Sequence, residues 1–176
     1  MAGLNLDLEF RPLKVAVLTV SDTRTLETDT SGQFLKEAAE KAGHIFKIRE
    51  ILRDDKDAVR AQVKTWAEDD EIEVIITTGG TGLTGRDITV EAVKPLYDKE
   101  IDGFSALFHM VSFEKVGTST VQSRACAGLV NHTLVFSLPG STGGVKDGWN
   151  EILVWQLDSR HQPCNFAEMM PRFSEV

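Results

Sequence analysis

The sequence predicts an α/β fold in which helices cover both faces of a mostly parallel central sheet. Two β-branched apolar runs, at residues 14–20 and 73–78, are typical of strands buried on both faces. A third run, at residues 133–138, ends like the others in a loop of small or polar residues. Segments with the apolar spacing of helices separate the runs, and this alternation indicates parallel strands joined by helical crossovers.

Two further elements are predicted between the first two runs. Residues 31–42 have apolar side chains at helical spacing, with Asp29 or Thr30 available as N-cap and Gly43 as a stop signal. Residues 45–52 alternate apolar and polar side chains, which predicts a strand towards an edge of the sheet.

The rest of the chain is predicted to be mostly helical. A helix opens at Asp54-Asp55, ahead of the second apolar run. The tail after Arg160 has no clear periodicity and is expected to be irregular. The other predicted helices cover residues 90–97, 104–116, 120–129 and 144–157.

Length and charge narrow the functional class. A chain of 176 residues, with neither an internal repeat nor a linker, predicts one domain. The net charge of −8 argues against a nucleic-acid surface, and no apolar stretch is long enough to predict a membrane span. The N-terminus does not read as a signal peptide, and Cys126 and Cys164 lack metal or disulfide spacing, so a cytoplasmic protein is expected.

The ends of the three buried strands predict a site for a phosphorylated ligand. In a parallel sheet these ends share one edge, where ligands bind. Glycine lets the backbone approach an anion closely, so that its amides can cradle phosphate. Simple tight turns are the alternative explanation. The residues concerned are Ser21 and Asp22 after the first strand, Thr78, Gly79, Gly80, Thr81 and Gly82 after the second, and Pro139, Gly140 and Ser141 after the third.

Two named nucleotide motifs do not account for the glycine loop. The segment from Gly80 to Gly85 satisfies G-x-G-x-x-G, but no helix starts at its last glycine and no strand ending in an acid follows at the usual distance. The P-loop pattern fails because Arg86 stands where lysine is required. A dinucleotide-binding oxidoreductase is therefore disfavoured.

Three aspartates near these loops are candidates for chemistry. Asp87, just past the glycines, is placed to hold Mg²⁺ against phosphates, although it is also suited to stabilise the next helix dipole. Asp54 follows the second predicted strand and is expected at the same edge, unless it serves as an N-cap. Asp22 has the same ambiguity.

Two other clusters are weaker candidates. Ser119, Thr120, Ser123 and Arg124 offer hydroxyls and one cation for a second anionic group, or else helix capping with a surface arginine. The helix at residues 104–116 is apolar around much of its circumference, which fits either core packing or a subunit interface.

Several of these segments, taken in order, resemble the MoaB/MogA family of molybdenum-cofactor biosynthesis proteins. The main match is Thr77-Thr-Gly-Gly-Thr-Gly-Leu-Thr-Gly-Arg-Asp87. Leu18-Thr-Val-Ser-Asp22, Asp29-Thr-Ser-Gly32, Gly117-Thr-Ser-Thr-Val-Gln-Ser-Arg-Ala125 and Leu138-Pro-Gly-Ser-Thr142 match as well. The resemblance divides the chain into an N-terminal extension at 1–12, a molybdopterin-binding domain at 13–163 and a C-terminal tail at 164–176.

The resemblance implies a three-layer α/β sandwich, a homo-oligomer (trimer or hexamer) and a defined reaction. The better understood branch of the family transfers AMP from Mg-ATP to molybdopterin. Carried onto this chain, residues 79–82 would hold the nucleotide or pterin phosphate, Asp87 would bind Mg²⁺ or orient the reaction, and Asp54 would be its acidic partner. The pterin would lie against Ser119, Ser123 and residues 139–141.

Two departures keep a second function open. The adenylylating branch usually has proline before its first acidic residue, whereas this chain has Arg53 before Asp54. Residues 119–124, Ser-Thr-Val-Gln-Ser-Arg, match the sequence of the other branch of the family, the B-type (MoaB) branch. A molybdopterin-binding or carrier protein without turnover is therefore the alternative to the enzyme.

Overall fold

A central sheet of six strands organises the part of the chain that this computed structural model describes, residues 3–175. A separate pair of two-residue strands joins the two ends of the chain. The strands are β1 (Gly3–Leu4), β2 (Lys14–Val20), β3 (Ile45–Leu52), β4 (Val74–Thr78), β5 (Lys99–Glu100), β6 (Cys126–Val130), β7 (Thr133–Leu138) and β8 (His161–Gln162).

The strand order in the main sheet is β3-β2-β4-β7-β6-β5. The four strands β3, β2, β4 and β7 are parallel, while β6 and β5 pair antiparallel at the other side. The mostly parallel sheet and the edge position of β3 are therefore confirmed. Because β2, β4 and β7 run in the same direction, their carboxyl ends share one edge of the sheet.

Helices cover both faces of the sheet. One hydrophobic core lies between the sheet and α1, α4 and α5, and the other lies between the sheet and α2 and α3. This is the expected three-layer arrangement. The helices are α1 (Thr30–Lys41), α2 (Lys56–Ala67), α3 (Thr89–Val93), α4 (Asp102–Val116), α5 (Thr142–Gly148), α6 (Val154–Gln156) and α7 (Phe166–Met169), with a π-helical turn at Trp149–Leu153 between α5 and α6.

The prediction of a helix at residues 120–129 is wrong. A 3₁₀ segment covers Gly117–Gln122, and Cys126–Val130 is a fully buried strand. Asn131 and His132 connect this strand to β7 and both have positive φ angles, 43° and 71°. Two residues with left-handed φ angles suit a tight hairpin, and its pairing with β7 outweighs the helical tendency of the alanines.

The tail also has more structure than expected. Residues 166–172 form α7 and a 3₁₀ turn, and Ala167 and Met170 are buried in the core beside α4 and α5. Asn165 accepts the amide of Glu168 at 2.7 Å as the N-cap of α7. An N-cap followed by a short apolar stretch is too brief a pattern to separate from coil by periodicity.

His44 is a buried ionisable group at the start of β3. Its side chain lies beside the rings of Phe10 and Trp149, and its Nδ1 accepts the amide of Leu13 at 3.2 Å. The residue is only 6% exposed. Desolvation lowers the pKa of His44, and the negative charge of Asp158 offsets this only in part.

We expect the free energy of unfolding to fall as the pH drops below about 6.5, the ordinary histidine pKa. In that window the unfolded chain takes up a proton that folded His44 resists, so protonation favours unfolding. Urea unfolding at pH 7.5 and 5.5 measures the loss. His44→Asn should remove this component, while His132→Asn, at an exposed turn position, should keep it. Equal pH dependence in all three proteins would contradict this role for His44.

Candidate functional site

The loops after β2, β4 and β7 meet at Gly79. Its amide donates to the carbonyl of Leu138 at 3.1 Å, which joins the ends of β4 and β7. A methyl group on Gly79 would overlap the carbonyl oxygen of Val20, at the end of β2. A methyl group on Gly140 would come within 3.2 Å of the Gly79 Cα. The three predicted loops therefore form one continuous surface.

Two successive residues of the glycine loop require glycine for their backbone conformation. Gly79 and Gly80 have φ angles of 98° and 63°, a region that other residues rarely adopt. These angles turn the chain sharply as it leaves β4. The loop therefore has a fixed, tight backbone and is not an extension of the strand.

Hydrogen bonds from two residues, Thr89 and Arg124, fix the carbonyl groups of the glycine loop. Thr89 donates through its hydroxyl to Gly79 O at 2.8 Å and through its amide to Gly80 O at 2.9 Å. Arg124 Nε donates to the carbonyls of Thr81 at 3.2 Å and Gly82 at 2.9 Å. All four carbonyls of residues 79–82 are thus engaged by the protein.

The amides of the same loop have a different environment. Within residues 3–175, the amides of Gly80 and Thr81 donate to no protein acceptor. Successive free amides in a turn with left-handed residues form a concavity that suits an anion. The loop therefore presents donors to a ligand and keeps its acceptors within the protein, as a phosphate cradle requires.

Asp54 is available for chemistry because its neighbour performs the capping role. The N-cap of α2 is Asp55, whose carboxylate accepts the amides of Asp57 and Ala58 at 3.0 Å each. The Asp54 carboxylate lies against Gly80, since an added Cβ there would stand 3.4 Å from its Oδ1. Desolvation raises the pKa of Asp54, and the nearby charge of Asp22 raises it further.

The carboxylate of Asp87 binds back to earlier residues of its own loop. Its Oδ2 accepts both the amide of Thr84 at 2.8 Å and the hydroxyl of Thr84 at 2.6 Å. It also lies close to Gly82, where an added Cβ would come within 2.8 Å. Partial burial alone raises the pKa of Asp87, but the hydrogen bonds from Thr84 and Gly82 outweigh it and the pKa is lowered.

Asp87 does not cap α3, although it lies at the N-terminal end of that helix, where its charge also suits the helix dipole. The N-cap position of α3 is Ile88, and no side chain caps that helix. Asp54 and Asp87 approach the loop near Gly80 and Gly82 respectively. No cluster of three or more possible metal-ligating side chains occurs among residues 3–175. A cation here would be held chiefly by one or two carboxylates and the ligand's own phosphates, which suits Mg²⁺.

Asp22 is bound across the site by Arg86. The Nε of Arg86 donates to Asp22 Oδ2 at 2.9 Å, while Asp22 Oδ1 accepts the amide of Asp54 at 3.4 Å. The hydrogen bond from Arg86 lowers the pKa of Asp22. Ser21 accepts the amides of Thr23 and Arg24 at 3.2 Å each, so it shapes the same loop.

The loop after β7 is positioned by its neighbours. Thr78 donates its hydroxyl to the carbonyl of Pro139 at 2.9 Å, and Ser31 donates to the carbonyl of Gly140 at 3.1 Å. Ser141 is the N-cap of α5 and accepts the amide of Gly144 at 3.2 Å. The predicted residues 139–141 therefore lie beside the glycine loop, with backbone atoms partly engaged.

Ser119 and Ser123 belong to a neighbouring region of the structure. Ser123 lines a cavity of about 350 Å³ with His109 and Arg124, and its hydroxyl is buried without a hydrogen-bond partner among the described residues. Ser119 is exposed in the 3₁₀ segment. Ser123 therefore lies next to Arg124, which contacts the glycine loop, while Ser119 does not line this cavity.

Arg124 has a different role from the anion-binding role that the sequence offered it. Its guanidinium donates to loop carbonyls and pairs with the carboxylate of Glu91. These carbonyls and the Glu91 carboxylate already accept the guanidinium N–H groups that an anion would need. Arg124 therefore holds the carbonyls of the glycine loop in place.

Comparisons with known proteins agree with this fold. Residues 16–159 match a protein family described as a probable molybdopterin binding domain. This match spans most of the chain. The chain belongs to this family.

Individual members of the molybdopterin-binding domain family are similar over most of their length. Molybdenum cofactor biosynthesis protein B of Escherichia coli strain K12 is 49% identical over 158 residues, which cover 90% of this chain and 93% of that protein. A crystal structure of a molybdenum cofactor biosynthesis protein B matches with a TM-score of 0.81 at 42% identity, covering 84% and 92% of the two chains. The tungsten cofactor synthesizing protein MoaB from Pyrococcus furiosus matches with a TM-score of 0.73 at 38% identity, covering 81% and 91%. The MoaB/MogA resemblance and the fold class are therefore confirmed.

Nothing in the sequence indicates that Thr89 holds the glycine loop in place, whereas the predicted N-cap at Asp29 is present. Thr89 directly precedes the helix predicted at residues 90–97, and it binds two loop carbonyls. Buried Asp29 accepts both the hydroxyl of Thr19 at 2.7 Å and the amide of Gly32 at 2.9 Å, and so ties β2 to α1. Asp29 has a recognisable capping signal, whereas Thr89, ten residues after Gly79, has no such signal.

We expect Gly79→Ala to lower the free energy of unfolding by about 2–4 kcal/mol, because the methyl group meets the rigid Val20 carbonyl and φ is positive. Gly85→Ala is the matched control, since nothing lies within 4 Å of its added methyl group. That control should change stability by less than about 0.5 kcal/mol. Urea unfolding compares the two variants, and equal stabilities would show that the loop backbone is not constrained as described.

Proposed function

We propose that this chain binds molybdopterin at the glycine loop and transfers AMP from ATP to the phosphate of molybdopterin. The observation that carries the proposal is the pair of free amides at Gly80 and Thr81, flanked by the carboxylates of Asp54 and Asp87. Membership of the molybdopterin-binding domain family supports the pterin ligand, and the similar proteins named above act in cofactor biosynthesis.

The proposed reaction needs no protein nucleophile. An oxygen of the molybdopterin phosphate attacks the α-phosphorus of ATP and forms a new P–O bond. The bond from that phosphorus to the bridging oxygen breaks, and its electron pair leaves with pyrophosphate. The attacking phosphate oxygen is already ionised at neutral pH, so no general base is required. Catalysis then rests on positioning and on the neutralisation of charge.

Each part of the site has a proposed role in this reaction. The amides of Gly80 and Thr81 would bind a phosphate, and Asp87 keeps the loop in shape through Thr84. Mg²⁺ supplied with ATP would be held by Asp87, with Asp54 as its acidic partner, and would offset the negative charge of the phosphates. The remaining ligand contacts are assigned to Ser21, Asp22, Thr78, Gly79, Gly82, Ser119, Ser123, Pro139, Gly140 and Ser141.

A molybdopterin-binding protein without turnover is the second candidate. One observation favours it: Asp87 Oδ2 already accepts two hydrogen bonds from Thr84, which reduces its capacity to bind a metal ion. In that case the loop would still bind phosphate through its amides. The two candidates differ in whether pyrophosphate is released, so one assay separates them.

The proposed compartment is the cytoplasm, where ATP is available. Cys126 and Cys164 are both free, which suits a reducing environment. No described helix is long and apolar enough to cross a membrane.

We expect Asp54→Asn to reduce pyrophosphate release from ATP and molybdopterin by about 100-fold, because the site loses a carboxylate that lies against Gly80. Asp55→Asn is the matched control, since asparagine also serves well as an N-cap. The control should keep the activity and the fold of the wild type.

The wild type decides between the two candidate functions. Release of pyrophosphate with formation of adenylylated pterin supports the enzyme. Binding of molybdopterin with no release of pyrophosphate would support the carrier. Equal activity of Asp54→Asn and Asp55→Asn would remove Asp54 from the proposed catalytic site.

We also propose a homo-oligomer, a trimer or a hexamer, that assembles through α4. This helix buries Phe104 and Phe108 on one side. Another side exposes four apolar residues at intervals of three: Leu107, Met110, Phe113 and Val116. An exposed stripe of this kind on a helix is typical of a protein–protein interface.

We expect Met110→Asp to dissociate the oligomer, because a charge would be buried at the centre of this stripe. Met110 is 67% exposed in the single chain, so the substitution should leave the fold intact. Light scattering coupled to gel filtration measures the mass. Leu83→Asp is the control, at a residue 70% exposed in the glycine loop, and should keep the wild-type mass. A monomeric wild type at micromolar concentration would contradict the proposal.

A further inference from the structure

Three arginines surround a cleft beside the proposed site, on the β3 side of Asp22. We call it the arginine cleft, and Arg24, Arg49 and Arg53 define it. Its volume is about 560 Å³. The loop after β2 forms one wall and the end of β3 forms the other, whereas the glycine loop follows β4. Asp22 lies in the wall and also contacts Asp54 and Arg86, so the cleft adjoins the site.

A bulge in β3 places Arg49 in this cleft. The register between β2 and β3 shifts between Val15 and Ala16, so that Ala16 pairs with Ile48 and Val17 pairs with Arg49. Val17 faces the core beneath α1, and Arg49 therefore points to the same side as the loop that precedes α1. Without the extra residue, Arg49 would face the opposite side of the sheet.

The guanidinium of Arg49 is only partly satisfied by the protein. Its Nη2 donates to the carbonyl of Leu26 at 3.1 Å. Its Nη1 is buried and has no hydrogen-bond partner within residues 3–175. A buried donor without a partner is uncommon, and the residue that carries it, Arg49, lines the cleft. An anion in the cleft would supply the missing acceptor.

The other arginines leave further donors available. Arg24 donates to the carbonyl of Thr28 at 3.0 Å, and the side chain of Arg53 has no hydrogen bond or ion pair with the described residues. Two carboxylates line the cleft, Asp22 and Glu50, and Asp22 is paired with Arg86. The cleft is therefore a cationic region in a chain whose net charge is −8.

We propose that the arginine cleft binds pyrophosphate, as the β- and γ-phosphates of the nucleotide and as the leaving group. The identity of the leaving group rests on the proposed function, while binding of pyrophosphate does not. Guanidinium groups recognise phosphate through paired hydrogen bonds, and three of them match a ligand with several negative charges. The volume exceeds what one phosphate group needs, which favours the longer anion.

The cleft would also assist the chemical step of the proposed reaction. When the bond between the α-phosphorus and the bridging oxygen breaks, the electron pair moves onto pyrophosphate. Positive groups beside the leaving oxygens favour that change more in the transition state than in the ground state. The arginines would thus neutralise the negative charge on pyrophosphate, which the acidic residues near the glycine loop cannot do.

Calorimetric titration with inorganic pyrophosphate, without metal or pterin, tests the binding. We expect the wild type to bind pyrophosphate more tightly than orthophosphate, and Arg53→Gln to weaken pyrophosphate binding at least about tenfold by loss of a charge-assisted contact. Arg49→Lys keeps the charge but loses the planar fork, and it should weaken binding as well. Arg172→Gln is the control, since that side chain is 73% exposed and pairs with Glu175 elsewhere.

The outcomes separate this proposal from the proposed function. Weaker binding in Arg53→Gln, with the control unchanged, supports the cleft even if the wild type releases no pyrophosphate from ATP and molybdopterin. Pyrophosphate that binds equally to wild type, Arg53→Gln and Arg49→Lys overturns the cleft, even if adenylylation is observed. Failure of the wild type to bind pyrophosphate at millimolar concentration overturns it as well. Thermal unfolding of each variant confirms that the compared proteins are folded, and Arg53 is exposed enough to be replaced safely.

Discussion

The anchoring of four successive carbonyls is the constraint on which the site depends. Because Thr89 and Arg124 engage the carbonyls of residues 79–82, the loop cannot rotate its peptide groups to satisfy its own amides. Two amides are therefore kept ready for a ligand before any ligand arrives, and the cost of ordering them is met during folding. The contact of Gly79 with Val20 and Leu138 fixes the same loop relative to the sheet. Under the proposed function, ligand binding and fold stability would be coupled at this position.

The adjacent aspartates Asp54 and Asp55 occupy different environments. Asp55 caps α2, so Asp54 is left to face Gly80, and its raised pKa reflects desolvation beside another carboxylate. Asp87 shapes the loop through Thr84 and remains ionised. The sequence predicted Asp54 and Asp87 as candidates but could not tell which of Asp54 and Asp55 caps the helix, because the two have equal capping preferences. The backbone angles at the start of α2 decide that Asp55 caps the helix and that Asp54 faces Gly80.

The elements that the sequence predicted well are those with a strong local pattern. The β-branched runs of β2, β4 and β7 predicted the fold class, and the glycines after β4 predicted a tight turn, which has positive φ angles. The strand β6 was missed because Ala-Cys-Ala-Gly has no strand preference of its own, and its pairing with β7 depends on the turn at Asn131 and His132. Long-range partners such as Arg124 were likewise beyond local pattern, since its contacts lie 33 to 43 residues away. Structure that depends on long-range tertiary contacts leaves no trace in the local periodicity of the sequence.

The bulge in β3 shows how one such long-range feature changes the electrostatics of the site. A net charge of −8 would repel polyphosphates from the molecule as a whole, so local positive groups must be gathered where the ligand binds. One extra residue in β3 turns Arg49 towards the loop after β2, where Arg24 and Arg53 also lie. The free amides then lie on one side of Asp22 and the arginines on the other. A ligand with phosphates at both places would therefore extend across the carboxyl ends of β3, β2 and β4.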